Sequence, residues 1–172
     1  MLASLIFLIK FTALALPLYL IIWLNVSLLP MQVLVSDHVS FLLGLLGYDV
    51  VRDGLIITAG SENPFIFYIG EDCTGWKSML CFLALVLATP HVRLRKRLAG
   101  LAAGLPVIYL GNLSRIVAVV FIQRSYGDAA ARLFHDWLWQ AGLISIVLLA
   151  WIAWLKWDGV RERVSGFLKK VF

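Results

Sequence analysis

The chain has 172 residues, of which 62% are hydrophobic and 15% charged, whereas a typical soluble domain is about half apolar and a quarter charged. The apolar residues fall in blocks near the length, about 20 residues, that a helix needs to cross a bilayer. The net charge of +5 comes mainly from Lys and Arg beside these blocks, a pattern that orients membrane proteins. We therefore predict one membrane-embedded domain over residues 1–172, with no nucleic-acid partner.

The N-terminal apolar block predicts a retained transmembrane helix from about Leu5 to Leu29. It is longer than the apolar core of a signal peptide, about 7–15 residues, and no clear cleavage site follows. The next segment, Met31 to Gly47, mixes polar with apolar residues and is too short to span a bilayer easily. This mixture favours an amphipathic helix lying at the membrane interface.

The segment from Tyr48 to Gly70 has a different pattern, typical of β-structure. β-Branched residues flank Asp53-Gly54, which is a strong hairpin signal, and PFIFYIG predicts a further extended stretch. An open sheet edge cannot face lipid. We therefore expect a small extracytoplasmic β element at the membrane surface or capping the helices.

Three more membrane helices are predicted, starting near Cys73 or Thr74 and ending by Thr89-Pro90, then from about Leu98 to Ile122, and from about Phe134 to Trp157. The basic loop HVRLRKR and the basic C-terminal tail should both be cytoplasmic. The predicted fold class is thus an all-α polytopic membrane protein. It has about four transmembrane helices, an interfacial amphipathic helix and a small extracytoplasmic β element.

This topology brings Cys73, Arg115 and His135 to one depth on the outer side of the membrane. A helix start or a nearby cation favours the thiolate, which is the nucleophilic form of cysteine. His135 has the chemistry to take the thiol proton and return it to a leaving amine. Arg115 has the chemistry to stabilise an oxyanion or hold a substrate anion. An arginine deep in an apolar block is costly, and this indicates a function.

Supporting residues lie beside two of these three. Asn112 precedes Arg115 by three positions and so shares its helix face, where it orients the guanidinium or contacts substrate. Thr74 and Gly75 follow Cys73, and their backbone N–H groups form a plausible oxyanion site at a helix start.

Acidic residues border the site along the sequence. Glu71 and Asp72 precede Cys73, where three roles stay open: capping the helix, binding a substrate cation, or facing solvent. Asp136 follows His135. A metal site built from Cys73, His135 and Asp136 is disfavoured because no pair has a spacing such as C-x-x-C or H-E-x-x-H. We therefore expect no metal and no cofactor.

The two cysteines, Cys73 and Cys81, are predicted not to pair. On one helix they would be about 12 Å apart along the axis, whereas a disulfide needs Cα atoms within about 7 Å. Cys73 is therefore available for chemistry, and Cys81 is expected to be a small buried apolar residue.

Three segments carry a resemblance to a known family. EDCTGWKS, GNLSRI and FHDWLWQAG resemble, in order and spacing, the Cys, N-x-x-R and His motifs of the exosortase/archaeosortase family, over residues 72–142. The resemblance implies a sortase-like cysteine transpeptidase of the cytoplasmic membrane with its site facing outward. Its partners would be secreted proteins with a C-terminal signal made of a short motif, a transmembrane helix and a basic cluster.

By this resemblance Cys73 forms a thioester with the substrate, Arg115 and His135 complete the triad, and the acceptor is often a membrane lipid. Many family members are longer, so the chain is interpreted as a minimal core. Two other classes remain open. One is a non-enzymatic scaffold or assembly factor with a structural Cys73. The other is a transporter or an anion- or lipid-binding membrane protein that uses Arg115.

Overall fold

The computed structural model describes residues 2–61, 64–137 and 141–157 and is mostly helical. In chain order the elements are α1 (Leu2–Trp23), α2 (Leu29–Leu45), β1 (Val50–Asp53), β2 (Ile56–Ala59), β3 (Phe65–Tyr68), a 3₁₀ turn (Glu71–Thr74), α3 (Trp76–Ala88), α4 (Leu94–Trp137) and α5 (Leu143–Leu155). The first predicted helix is therefore shorter than expected, since it ends at Trp23. The predicted second helix and β element are confirmed, and their position relative to a membrane stays a prediction.

The β element is an antiparallel sheet in the order β1-β2-β3. The predicted hairpin is present, with its turn one residue later than the Asp-Gly signal indicates. Asp53 pairs with Ile56, which leaves Gly54 and Leu55 as the loop. Gly54 has φ +59, a conformation that glycine adopts without steric cost. The turn therefore uses the glycine at its first loop position, as type II′ hairpins do.

The segment α4 corrects the predicted helix end at Ile122 and the polar loop after it. It comprises two helices that meet at a kink at Gly127, the non-helical residue of the segment, with φ 81 and ψ 178. The segment QRSYGDAAAR is polar, but Gln, Arg and Ala are good helix formers. The polar residues therefore do not end the helix here, and the helix is interrupted at the glycine. The predicted helix start at Phe134 falls inside α4, and α5 begins at Leu143.

Within the described residues one helix, Leu94–Gly127, is long and apolar enough to cross a membrane. Helices α3 and α5 have 13 residues each, which gives a length of about 20 Å against a hydrocarbon core of about 30 Å. The prediction of four spans is therefore not confirmed.

The first half of α4 packs with α1, α3 and α5 around one apolar cluster. Its buried centre includes Phe82, Ile108 and Val147. Two α4 glycines allow the helices to approach closely: a side chain at Gly104 would overlap the Phe82 ring, and one at Gly100 would overlap the Trp154 indole. Trp154 Nε1 also donates to the Lys96 carbonyl at 2.9 Å, which fixes α5 against the start of α4.

We expect Gly104→Ala to lower the thermal unfolding temperature in detergent. The added methyl must displace a buried Phe82 ring, at a cost of about 1–3 kcal/mol, which exceeds the helix-propensity gain of at most about 1 kcal/mol. The matched control is Gly44→Ala in α2, where an added Cβ meets nothing within 4 Å. An unchanged unfolding temperature for Gly104→Ala would contradict this packing.

A second cluster joins α2 and the sheet to the middle of α4. Val39, Ile57, Ile69 and Val120 are buried at its centre. Because α4 contributes to both clusters, it connects the helical bundle to the sheet. The element that carries Arg115 thus runs between the two halves of the molecule.

One arginine of the basic segment HVRLRKR has a structural role. Arg97 donates from Nη1 to the Leu87 carbonyl at 3.0 Å and from Nη2 to the Thr89 carbonyl at 2.8 Å. These carbonyls end α3, where a cation complements the helix dipole. Arg97 therefore holds the turn between α3 and α4.

Candidate active site

Cys73 lies in the 3₁₀ turn rather than at the start of α3, which corrects the predicted helix boundary. The Cys73 N–H donates to the Gly70 carbonyl at 3.0 Å. Gly75 has φ +74 and occupies the N-cap position of α3, so the helix begins only at Trp76. The left-handed glycine separates the turn from the helix. The predicted effect of a helix N-terminus on the thiol is therefore weaker than the sequence suggests, because the dipole acts mainly within the first turn.

Thr74 holds the turn together. It is fully buried, its hydroxyl donates to the Glu71 carbonyl at 2.8 Å, and the same oxygen accepts from the Trp76 N–H at 3.4 Å. Neither Thr74 nor Gly75 is among the described residues that line the adjoining cavity. Their role as oxyanion donors stays a prediction, whereas their role in shaping the turn is visible.

Asn112 fixes this turn to α4. The side chain is fully buried, and its Nδ2 donates to the Cys73 carbonyl at 2.6 Å. The Gly75 backbone packs on the same amide, so that a Cβ at Gly75 would lie 3.0 Å from Asn112 Cγ. The sequence predicted a contact to the guanidinium or to substrate. The structure instead places this side-chain donor on the backbone of the cysteine.

We expect Gly75→Ala to slow the reaction of the Cys73 thiol with its substrate by roughly 10–100-fold, while the protein still accumulates in membranes. The alanine would be strained at positive φ by about 1–2 kcal/mol and would press on Asn112, and a displacement of about 1 Å at a reacting group costs activity of this order. Gly54→Ala is the control, since Gly54 also has positive φ but an added Cβ meets nothing within 4 Å. Equal activity in the two variants would contradict the proposed contact.

Arg115 lies one helical turn beyond Asn112 and 5% of its surface is exposed. Its guanidinium interacts electrostatically with Cys73 and with Asp72. Cys73 and Arg115 also line the same cavity. Two of the three residues singled out by the sequence therefore line one cavity, although their positions in the chain differ by 42.

The cavity has a volume of about 1260 Å³ and lies between β3 and the second half of α4. Pockets for small molecules usually measure about 300–1,000 Å³, so this one has room for a larger ligand such as a peptide segment. Besides Arg115, its described wall includes Arg124, Arg132 and Asp49. Arg124 stacks on the Tyr48 ring, with 5.1 Å from its guanidinium carbon to the ring centroid, a cation–π contact.

The acidic residues before Cys73 do not cap α3, because its N-cap is Gly75 and no side chain caps it. Asp72 forms an ion pair with Lys77 at 2.6 Å. Glu71 is exposed and does not belong to the described cavity wall. Asp72 thus forms a surface ion pair that was not among the three predicted roles.

His135 and Asp136 belong to the last turn of α4, and their side chains lie outside the described part of the chain. The third member of the triad therefore stays a prediction. Both cysteines are free and partly buried, which confirms that Cys73 and Cys81 do not pair. Among the described residues no group of three His, Cys, Asp or Glu side chains is placed to hold a metal.

Three polar residues at the site were missed by the sequence analysis: Gln32, Arg124 and Arg132. Gln32 is buried on α2 and donates from Nε2 to the Ile69 carbonyl at 3.0 Å, which holds the strand leading to Cys73. Its spacing of four residues from the buried Ser36 is a polar stripe on an apolar helix, and that signal was available. The two arginines were assigned to a polar loop, which hid their position on the helical segments before and after Gly127.

The fold and site thus define a mostly helical protein, with one helix of membrane-spanning length among the described residues, that has a cysteine and a buried arginine at one large cavity. The model of the family described as Transmembrane exosortase (Exosortase_EpsH) matches residues 1–151, which include Cys73, Arg115 and His135. The chain belongs to the transmembrane exosortase family. Comparison with curated proteins and with solved structures gave no match. Family membership indicates, at a coarse level, a membrane protease or transpeptidase.

Proposed function

We propose that this exosortase is a cysteine transpeptidase that cleaves the C-terminal sorting signal of exported proteins and transfers them, through a thioester on Cys73, to a membrane lipid. The observation that carries the proposal is that Cys73 and Arg115 line the same cavity, with Arg115 itself buried. In the proposed topology the cavity faces the extracytoplasmic side, where exported substrates arrive.

The reaction proceeds in two acyl transfers. Cys73 Sγ attacks the scissile carbonyl, the C–N bond breaks, and His135 moves the thiol proton to the leaving amine. The acceptor nucleophile then attacks the thioester, the C–S bond breaks, and the acceptor proton returns to the thiol. Arg115 stabilises the oxyanion in both tetrahedral intermediates. Asn112 keeps the Cys73 backbone in place for both steps.

The arginines that line the cavity favour a second candidate function, in which the protein binds an anion or a lipid headgroup and catalyses no reaction. Arg115, Arg124 and Arg132 would suit a phosphate or carboxylate, and Cys73 would then be dispensable. A structural scaffold is the third candidate. It gives no reason for a costly buried arginine beside a thiol at an accessible cavity.

The test is co-expression with exported proteins that carry C-terminal membrane anchors. Intact enzyme should yield a product that has lost its C-terminal segment, and mass spectrometry of the new C-terminus should detect a lipid adduct. A free carboxylate there would indicate hydrolysis and remove the transfer step from the proposal. Equal processing by the Cys73→Ala variant would contradict cysteine catalysis.

We expect His135→Ala to slow processing by about 10²–10⁴-fold, the usual contribution of general acid–base catalysis. The loss should be less complete than for Cys73→Ala, because water or another base partly replaces the imidazole. His91→Ala is the control, since His91 is exposed in the turn between α3 and α4. Wild-type processing by His135→Ala would exclude His135 from the proposed triad.

A further inference from the structure

The outer edge of β3 is open in this fold. β3 pairs with β2 on one side only, and among the described residues no strand pairs with its other side. An open sheet edge carries unpaired N–H and C=O groups that cannot face lipid. The fold meets this requirement by turning the edge toward the cavity, whose wall includes every residue from Pro64 to Ile69. Successive side chains of a strand point to opposite faces of the sheet. Consecutive residues therefore all line the cavity when the strand borders it with its edge.

The hydrogen-bond register identifies which backbone groups point into the cavity. The Ile69 N–H donates to the Leu55 carbonyl at 2.9 Å, so residues 69 and 55 form a hydrogen-bonded pair. Such pairs alternate along an antiparallel ladder. With Ile57 opposite Phe67, the backbone of Phe67 also points to β2. The N–H and C=O groups of Ile66 and Tyr68 therefore point outward, away from β2.

The opposite wall of the cavity is formed by α4, which contributes apolar residues as well as arginines. Ile116, Val119 and Val120 line it, followed by Gln123, at the three- and four-residue spacing of one helix face. The space between this face and the edge of β3 is therefore a slot with hydrogen-bonding groups on one side. On the other side it offers apolar side chains with the arginines of α4 beside them. This combination suits an extended peptide, whose backbone pairs with the edge while alternate side chains contact the helix.

The slot leads to the cysteine. β3 ends at Tyr68, and only Ile69 and Gly70 separate it from the turn that carries Cys73. Gln32 holds this connection by donating to the Ile69 carbonyl at 3.0 Å and to the Tyr68 hydroxyl at 3.4 Å. A chain that continues the sheet is thereby directed toward the thiol.

We infer that the segment of the substrate next to the scissile bond binds as a fourth strand on the outer edge of β3, hydrogen-bonded to the backbone of Ile66 and Tyr68. The inference rests on the proposed peptide-cleaving function and adds the mode of recognition. Backbone pairing fixes the scissile carbonyl relative to Cys73 independently of the substrate side chains. Specificity for the substrate side chains then comes from the apolar residues and the arginines of α4 that line the cavity.

The test uses Ile66→Pro, which removes the outward N–H without removing a β2–β3 hydrogen bond, as proline does at sheet edges. The probe is a co-expressed exported protein whose processing Cys73→Ala abolishes. We expect Ile66→Pro to process it about tenfold more slowly, the usual effect of one lost hydrogen bond of about 1.4 kcal/mol. The matched comparison is Ile66→Ala, which shortens the same 63% exposed side chain but keeps the N–H, so the tenfold loss is measured from Ile66→Ala to Ile66→Pro.

Equal rates for Ile66→Pro and Ile66→Ala would overturn strand addition while leaving the proposed function intact. Processing by Cys73→Ala, in contrast, would overturn the function itself. Membrane abundance and alkylation of Cys73 by iodoacetamide show whether Ile66→Pro folds. If that variant does not accumulate, single prolines in the substrate decide the question. Losses at every second position upstream or downstream of the cleavage site support pairing with β3, and tolerance at all positions overturns it.

Discussion

Replacement of Cys73 by alanine is expected to abolish processing of every sorting signal that the intact protein cleaves, a loss of at least about 10³-fold. The thiol forms the bond that replaces the scissile amide, and nothing in alanine can take over that step. The measurement is the fraction of co-expressed substrate that loses its C-terminal segment, followed by gel mobility and mass. Cys73→Ser should also be inactive, because a serine hydroxyl is a weaker nucleophile than a thiolate unless the site is built to activate it.

The matched control is Cys81→Ala. Cys81 is partly buried and packs against the cluster around Phe82 in the helical bundle, away from the described cavity wall. The Cys81→Ala variant should process the substrate at close to the wild-type rate. A complementary measurement is a substrate–enzyme adduct that hydroxylamine releases, as it does other thioesters. The adduct should form with wild type and with Cys81→Ala. Its formation with Cys73→Ala would place the acyl group on another residue.

The second large effect is expected at Arg115. Replacement by methionine removes the charge and keeps much of the side-chain length, and we expect processing to fall by about 10²–10³-fold, the usual cost of losing one oxyanion donor. Arg115→Lys should recover only part of this loss, since an ammonium cannot reproduce the planar fork of a guanidinium. The measurement is the same processing assay, with iodoacetamide labelling to confirm that Cys73 stays accessible.

Stability separates this role from a structural one. Arg115 is buried in the middle of a helix with membrane-spanning length, where a charge is costly, so Arg115→Met should unfold at the same temperature as wild type or higher. At a functional site, a substitution that raises stability is expected to lower activity. Arg95→Met is the control, because Arg95 is exposed near the start of the same helix. Processing within about twofold of wild type by Arg115→Met would remove Arg115 from the catalytic scheme.

Local signals account for the parts of the fold that were predicted correctly. The hairpin follows from β-branched residues around Gly54, and α2 follows from the polar and apolar pattern between Met31 and Gly47. The pairing of Asn112 with Arg115 on one helix face follows from their spacing of three. Each of these features depends on residues close together in the chain, so the sequence is sufficient to identify them.

The length of α4 shows where local signals mislead. The polar segment after Ile122 looks like a loop, because a membrane helix is expected to stop where polarity begins. In the folded chain the helix continues past Ile122 to the kink at Gly127, and a further helical segment runs to Trp137. Residues from both segments line the cavity. Arg124 and Arg132 were missed for this reason. Burial by distant elements determines what a polar helix segment contacts, and one sequence does not reveal it.

The sequence by itself determined that the protein belongs in a membrane, which residues are chemically able to react, and that Cys73 and Cys81 do not pair. Only the tertiary structure decided that Cys73 sits in a 3₁₀ turn held by Asn112, that Arg115 shares its cavity, and that the open edge of β3 borders that cavity. The physical reason is the distance along the chain over which each kind of signal acts. Composition and helical spacing act over a few residues, whereas the cavity forms where the sheet and α4, far apart in the chain, face each other.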